Sequence, residues 1–110
     1  MNKEIGKITS VSFGKGGYND AMLGISIVLG SDKACWGTSD YWGFWDMEPD
    51  KYTKWTKDDK NKALAEMVIK IGKVLTDAKV YDINELVGKP VEVVFENNTL
   101  KSWRILTEVI

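Results

Sequence analysis

Aromatic and acidic side chains concentrate between residues 36 and 55, which hold seven of the chain's twelve aromatic residues. Tryptophan and tyrosine often anchor binding surfaces, because they bury a large area at a small cost in entropy. Carboxylates among such rings can fix the polar groups of a ligand. We therefore expect this region to recognise a protein partner or a small planar ligand. The candidate binding residues are Tyr18, Asp20, Trp36, Asp40, Tyr41, Trp42, Phe44, Trp45 and Asp46.

The same rings could instead form a satellite core that covers one open face of a sheet. The two interpretations are compatible if the rings divide between an inward and an outward set. We expect Trp36, Trp42 and Trp55 to pack inward. Tyr41, Phe44 and Trp45 are then expected to face outward.

A glycine-rich stretch precedes this region. Backbone N–H groups of Gly16 and Gly17 could contact an anion, with Lys15 assisting. However, the stretch joins two predicted strands, whereas phosphate loops and dinucleotide fingerprints open a helix. A flexible hairpin connection is therefore the favoured interpretation.

The residues offer little for catalysis. Histidine is absent, which removes the commonest general base and metal ligand. A carboxylate-dependent enzyme acting on a nucleotide or sugar would have to use Asp40, Asp46 and Glu48, which we interpret as acidic loop residues. Cys35 is the single cysteine and is predicted to be a small buried strand residue. We predict no catalytic residue, no metal and no cofactor.

Charge and composition restrict the partners and the compartment. Residues 18–50 carry six acidic residues and one lysine, a net charge of −5, whereas the rest of the chain carries +4. This distribution disfavours general nucleic-acid binding, which needs a basic stripe. A lone cysteine, no apolar leader and no long apolar run predict a cytoplasmic protein that does not associate with membranes.

The elements that position these residues follow from hydrophobic periodicity. Residues 1–110 are expected to form a single domain. Alternation predicts strands at 5–13 and 21–29 and a short strand at 34–38, which together make a three-strand meander. Residues 39–56 show no period and are predicted to be a long ordered loop, a kind of segment that is usually functional.

The second half of the chain has clearer signals. Thr56 is a good N-cap for a helix over 57–78, whose buried stripe would comprise Leu64, Met67, Ile71, Leu75 and Ala78, flanked by Val68 and Val74. A C-terminal hairpin is predicted to pair 90–96 with 99–109 across Asn97-Asn98. Arg104 is expected to pair with the acidic loop. The fold class is α+β: a five-stranded antiparallel sheet or small open barrel with one main helix packed on it.

Several segments resemble small hypothetical proteins that are encoded by tailed phages and prophages. They are residues 16–22, the steps Trp36-Gly37 and Trp42-Gly43, and residues 86–90 and 100–106. The resemblance implies a phage setting, hence the host cytoplasm, and assigns no residue roles. Small accessory phage proteins often inhibit host enzymes or defence systems, or sequester nucleotide signals.

The leading hypothesis is therefore a non-enzymatic, phage-type accessory binding protein. Its recognition surface would combine the acidic, aromatic-rich region with the glycine-rich loop. The alternatives are the carboxylate-dependent enzyme and a structural subunit that buries its aromatic residues in a homo-oligomer.

Overall fold

A computed structural model describes residues 1–16 and 21–110, and over these residues it contains five strands and one long helix. The strands form one antiparallel sheet in the order β3-β2-β1-β4-β5. This confirms the α+β class, with a five-stranded antiparallel sheet and one main helix. The elements are β1 (Asn2–Gly16), β2 (Met22–Ser31), β3 (Trp36–Trp45), α1 (Lys57–Ala78), β4 (Pro90–Glu96) and β5 (Thr99–Ile105).

The central strand β1 is long enough to pair with two neighbours. Its first half pairs with β4 and its second half with β2, and the register shifts between Ile8 and Ser10. A bulge of this kind bends a strand and increases its twist. Because β4 returns to lie beside β1 after the β1-β2-β3 meander, the first four strands form a Greek key.

The sheet curls until its two edge strands approach each other. In a flat sheet β3 and β5 would lie about 19 Å apart, since strands are spaced by about 4.8 Å. Instead, Nε1 of Trp103 on β5 lies 2.8 Å from Oδ2 of Asp40 on β3. The sheet is thus a partly open barrel.

The core fills the inside of this curled sheet. Ile25, Ile27 and Leu29 alternate along β2 and are fully buried, as are Val91 and Val93 on β4. The helix α1 contacts the two edge strands, β3 and β5. α1 therefore lies across the open side of the barrel and shields the core side chains from water.

The helix begins and ends where the sequence predicts. Thr56 accepts a hydrogen bond from the backbone N–H of Asp59, and the Asp59 carboxylate accepts one from the backbone N–H of Thr56. This capping box satisfies N–H groups that a helix start leaves without partners. At the other end, Lys79 adopts the left-handed conformation with φ of 58°. Among the residues that the structure describes, no helix combines the length and apolar character needed to cross a membrane.

The buried stripe of α1 is narrower than predicted. Met67, Val74 and Ala78 are buried, whereas Leu64 is 36% exposed and Val68 is 57% exposed. The predicted burial of Leu64 is therefore wrong, and Val68, which was expected to flank the stripe, is exposed. The helix presents only one narrow side to the edge strands, and its apolar residues extend further round the surface than that contact does.

The prediction of a loop over residues 39–56 is wrong in its first half. β3 runs from Trp36 to Trp45 and pairs with β2 along its whole length, from Ser31↔Trp36 to Met22↔Trp45. The usual alternation is hidden, because a carboxylate, Asp40, faces inward and an aromatic ring, Tyr41, faces outward. The segment without regular structure begins only at Asp46.

Other boundaries also differ. β1 continues to Gly16, so Lys15 and Gly16 belong to a strand and not to the predicted loop. Cys35 lies in the β2–β3 turn with φ of 53° and is exposed, so its predicted burial in a strand is wrong. In the last hairpin, Asn97 and Asn98 both have positive φ, as predicted, and β5 ends at Ile105.

Candidate functional site

The alternation of β3 divides the predicted binding residues between the two sides of the sheet. The inner side carries Trp36, Asp40, Trp42 and Phe44, and the outer side carries Tyr41 and Trp45. Phe44 is 8% exposed, so the prediction that it faces outward is wrong. The aromatic residues thus divide into an inward and an outward set, as expected for Trp36, Trp42, Tyr41 and Trp45, and they form two separate clusters.

The inner cluster is organised by Asp40. Its Oδ2 accepts hydrogen bonds from Nε1 of Trp42 at 3.1 Å and from Nε1 of Trp103 at 2.8 Å. Its Oδ1 accepts one from the backbone N–H of Tyr41 at 2.9 Å. The two indole rings lie parallel, with centroids 5.9 Å apart. The carboxylate therefore holds both rings in place and joins β3 to β5.

A groove of about 210 Å³ lies beside this cluster, between α1 and β5. Lys70 lies 5.9 Å from the ring centroid of Trp42. The other charges at the groove are paired: Lys73 with Asp77 at 2.6 Å, and Arg104 with Glu92 and Glu108. The predicted pairing of Arg104 with the acidic loop is wrong.

In the outer cluster, the ring of Tyr41 packs against glycine residues. The ring of Tyr41 lies so close to Gly43 and Gly24 that a Cβ at either position would come within 2.7 Å of a Tyr41 ring atom or its hydroxyl. Gly24 pairs with Gly43 on one side and with Gly14 on the other, so a row of glycines crosses three strands. Tyr41 is 38% exposed, so one part of its ring contacts the sheet and another faces solvent.

Next to Tyr41, the outer face forms a groove of about 370 Å³. We call it the outer groove. At its end, Lys15 Nζ lies 3.2 Å from Asp46 Oδ2, and the Lys15 side chain is 69% exposed. The residues that line the groove are Ser12, Phe13, Gly14, Lys15, Gly16, Gly24, Ser26 and Tyr41.

The outer groove therefore brings together Lys15, Gly16 and Tyr41 from the predicted set, whereas Asp46 pairs with Lys15 but does not line the groove. Gly17, Tyr18 and Asp20 lie outside the described residues. Of the eight lining residues, sequence reasoning missed Ser12, Phe13, Gly24 and Ser26. The signal was present, because small residues alternate along β1 and β2 on the same side of the sheet: Ser12 and Gly14 on β1, Gly24 and Ser26 on β2.

Two further tryptophans pack at the ends of β3. Trp45 stacks on Trp55, with parallel rings 5.9 Å apart. Trp36 meets Phe95 edge to face at 5.4 Å and covers Gly6. These contacts correspond to the satellite core that the sequence allowed as an alternative.

The three carboxylates of the enzyme alternative have separate partners. Asp40 is held by the two indoles, Asp46 by Lys15 at 3.2 Å, and Glu48 by Lys60 at 3.6 Å. Over residues 1–16 and 21–110, no three His, Cys, Asp or Glu side chains are grouped as a metal ion would require.

No protein-family model, curated protein sequence or solved structure matches this chain.

Proposed function

We propose that this chain is a non-enzymatic binding protein that takes a planar ring carrying an anionic group into the outer groove. The observation that carries the proposal is the position of Tyr41. Its ring lies on Gly24 and Gly43 at the edge of an open groove. Lys15, which pairs with Asp46, lines the same groove.

Gly14 and Gly16 on β1 give the groove a floor without side chains. No atom of the described residues lies within 4 Å of a Cβ built on either glycine, so this part of the groove is open among the residues that the structure describes. A planar ring can therefore lie against the backbone of β1 and meet the ring of Tyr41. Contacts between aromatic rings contribute about 0.5–1.5 kcal/mol beyond the area that they bury.

The polar groups of the groove favour a ligand with an anionic substituent. The hydroxyls of Ser12 and Ser26 can donate or accept hydrogen bonds. Among the described residues, Lys15 pairs with Asp46 in an exposed ion pair, and such pairs contribute about 0–1 kcal/mol. Its ammonium group can therefore exchange Asp46 for a ligand's anion at little cost. A nucleotide is a ligand of this kind, because its base is a planar ring and its phosphate is anionic.

The fold supports the location of this site. Five-stranded, partly open Greek-key barrels of the OB type bind ligands on the outer face of strands 2 and 3 and on the adjoining loops. The outer groove occupies the corresponding face of β1–β3. This is an analogy of fold, and fold alone does not specify a ligand.

A nucleotide-binding protein that does not catalyse a reaction can act by sequestering its ligand. Sequestering a nucleotide signal is one of the roles expected of a small phage accessory protein, so the resemblance of the sequence and the groove support the same proposal. General nucleic-acid binding remains disfavoured by the acidic charge of residues 18–50.

The test is a thermal-shift screen of mononucleotides and cyclic dinucleotides, followed by calorimetry on any binder. A bound ligand raises the melting temperature by mass action. Gly14→Val fills the groove without a clash, whereas Gly37→Val, the matched control, adds the same side chain at the far end of β3, where the nearest atom is 3.9 Å away.

We expect a nucleotide to stabilise the wild type and Gly37→Val but not Gly14→Val, and to bind Tyr41→Ala more weakly. A screen without a binder would overturn the proposal. So would a ligand that binds Gly14→Val as tightly as the wild type. A protein that is captured from a bacterial lysate by the wild type, and lost with Gly14→Val, would assign the groove to a protein partner instead.

A further inference from the structure

The helix α1 exposes an apolar face on the side away from the sheet. Val68 is 57% exposed, Ile69 is 69% exposed and Leu64 is 36% exposed. The small residues Ala65 and Gly72 are exposed beside them, and no atom of the described residues lies within 4 Å of a Cβ built on Gly72. Neighbouring exposed apolar residues, unlike isolated ones, can mark an interaction site.

The exposed residues of this face are separated by steps of three or four residues, except for the adjacent central pair Val68 and Ile69. Positions three and four residues apart lie on one side of a helix, and a repeat of such steps is the pattern of a coiled coil. We call these residues the α1 seam. It consists of Asp58, Asn61, Ala65, Val68, Ile69, Gly72, Thr76 and Lys79, all exposed.

When the α1 seams of two copies are placed antiparallel, they are complementary to each other. If Val68 lies opposite Ile69 of a second copy, then Ala65 meets Gly72, and Asn61 meets Thr76. In the same register Asp58 at the start of the helix meets Lys79 just after its end, and this ion pair occurs twice. A parallel arrangement would instead bring Asp58 against Asp58 and Lys79 against Lys79.

We infer that two copies of this chain associate through α1, antiparallel and about a two-fold axis. Charge complementarity selects a second copy as the partner, since one seam supplies both signs at the matching positions. The small residues Ala65 and Gly72 allow the two helices to approach to about 8 Å, the close limit for packed helices. Antiparallel helix dipoles also place opposite partial charges together.

The size of the interface makes this dimer reversible. A helix of 22 residues is about 33 Å long, and a single pair of such helices buries less than the about 1,200 Å² at which stable complexes begin. The protein is therefore a monomer when dilute and a dimer when concentrated. Because α1 lies on the inner side of the sheet, the dimer leaves both outer grooves open.

Sedimentation equilibrium of the full chain over a wide concentration range tests this inference. We expect the average mass of the wild type to rise from monomer toward dimer. Ile69→Glu places a charge at the centre of the seam and should leave only monomer. Val87→Glu is the matched control, because Val87 is 51% exposed and lies outside α1; this variant should dimerise like the wild type.

A charge swap tests the direction of the helices. Asp58→Lys should weaken the dimer by about tenfold, since it creates two like-charge contacts with Lys79. Adding Lys79→Asp to Asp58→Lys restores both pairs and should recover the dimer. Circular dichroism of each variant checks that α1 remains folded.

A wild type that stays monomeric at every concentration would overturn the inference. It would also be overturned by a dimer that tolerates Ile69→Glu, or by a charge swap that fails to recover dimerisation while the fold is intact. The binding of nucleotides to the outer groove is measured separately, so either proposal can fail without the other.

Discussion

The indole Nε1 of Trp103 on β5 donates a hydrogen bond of 2.8 Å to the carboxylate of Asp40 on β3, and so joins the two edges of the sheet. Nε1 of Trp42 donates to the same oxygen at 3.1 Å. The two edge strands thus meet through side chains at the opening of the barrel. Asp40 is therefore a structural residue whose carboxylate is occupied by the protein's own N–H groups.

Replacing Asp40 tests this role. Asp40→Ala leaves two half-buried indole N–H groups without their acceptor, and we expect it to lower the free energy of unfolding by about 2–4 kcal/mol. Urea denaturation measures the change. Asp46→Ala, which removes only a surface ion pair, should cost about 1 kcal/mol or less. Equal losses in the two variants would contradict the assignment.

The contribution of the Trp103 hydrogen bond can be separated by a double-mutant cycle. Trp103→Phe keeps an aromatic ring but removes the N–H donor. Combined with Asp40→Ala, it should show a coupling energy of about 1.5–3 kcal/mol, because a hydrogen bond to a charged group contributes about that much. Additive losses in urea denaturation would mean that the two side chains do not interact in solution.

Gly6 is required where the ring of Trp36 crosses β1. A Cβ at this position would lie 2.5 Å from the carbonyl oxygen of Gly30 and 2.7 Å from the Trp36 ring. We expect Gly6→Ala to destabilise the protein by about 1–3 kcal/mol, because the strand and the ring would have to move. Gly14→Ala is the control, since its Cβ enters open space. If Gly6→Ala unfolded at the same temperature as the wild type, the close packing of Trp36 against Gly6 would be contradicted.

The capping box of α1 gives a prediction about the helix start. Thr56→Ala removes the acceptor for the Asp59 N–H and should cost about 1 kcal/mol. Thr56→Ser keeps a hydroxyl that can cap the helix, and it should lose only a small part of this stability. Urea denaturation of both variants distinguishes the hydroxyl from the methyl group. If the serine variant were as unstable as the alanine variant, the cap would not be the cause.

Glu108 gives a prediction about pH. Two hydrogen bonds from the guanidinium of Arg104, at 2.7 and 2.8 Å, lower the pKa of the Glu108 carboxyl from 4.5 to about 2. Because the pKa is lower in the folded state, the pairing stabilises the fold above pH 4.5. That contribution is lost as the pH falls from 4.5 toward 2.

Carbon-13 NMR of the carboxyl groups measures this titration directly. The Glu108 signal should titrate near 2, and Arg104→Gln should return its pKa toward 4.5. A Glu108 signal that titrates near 4.5 in the wild type would show that the ion pair is not formed in solution.

The boundaries of α1 could be predicted because its signals are local. Thr56 and Asp59 form the cap within one turn, and the helical period follows at once. β3 could not be predicted in the same way, since strands are identified by alternation between apolar and polar residues. In β3 a carboxylate, Asp40, points inward, and the aromatic ring of Tyr41 points outward onto glycine. The side chains of β3 do point alternately to the two sides of the sheet. Their polar and apolar types, however, do not follow this alternation.

The candidate site could be predicted only in part, because the strand β3 was not recognised from the sequence. The sequence identifies the aromatic residues between 36 and 45, but only a strand there sends Trp42 to one side and Tyr41 to the other. The left-handed conformation of Cys35 also has no local signal, because few residues other than glycine and asparagine adopt it. The phage setting and the cytoplasmic location stay predictions.

The central claim is that the outer face of β1–β3 binds a planar, anionic ligand. The most direct measurement is a titration of the nitrogen-15-labelled protein with nucleotides, followed by two-dimensional NMR, which also detects weak binding. We predict that the amide signals of Ser12, Gly14, Gly24, Ser26 and Tyr41 shift together. Unchanged spectra with every nucleotide, or shifts confined to Trp42, Trp103 and α1, would contradict the claim.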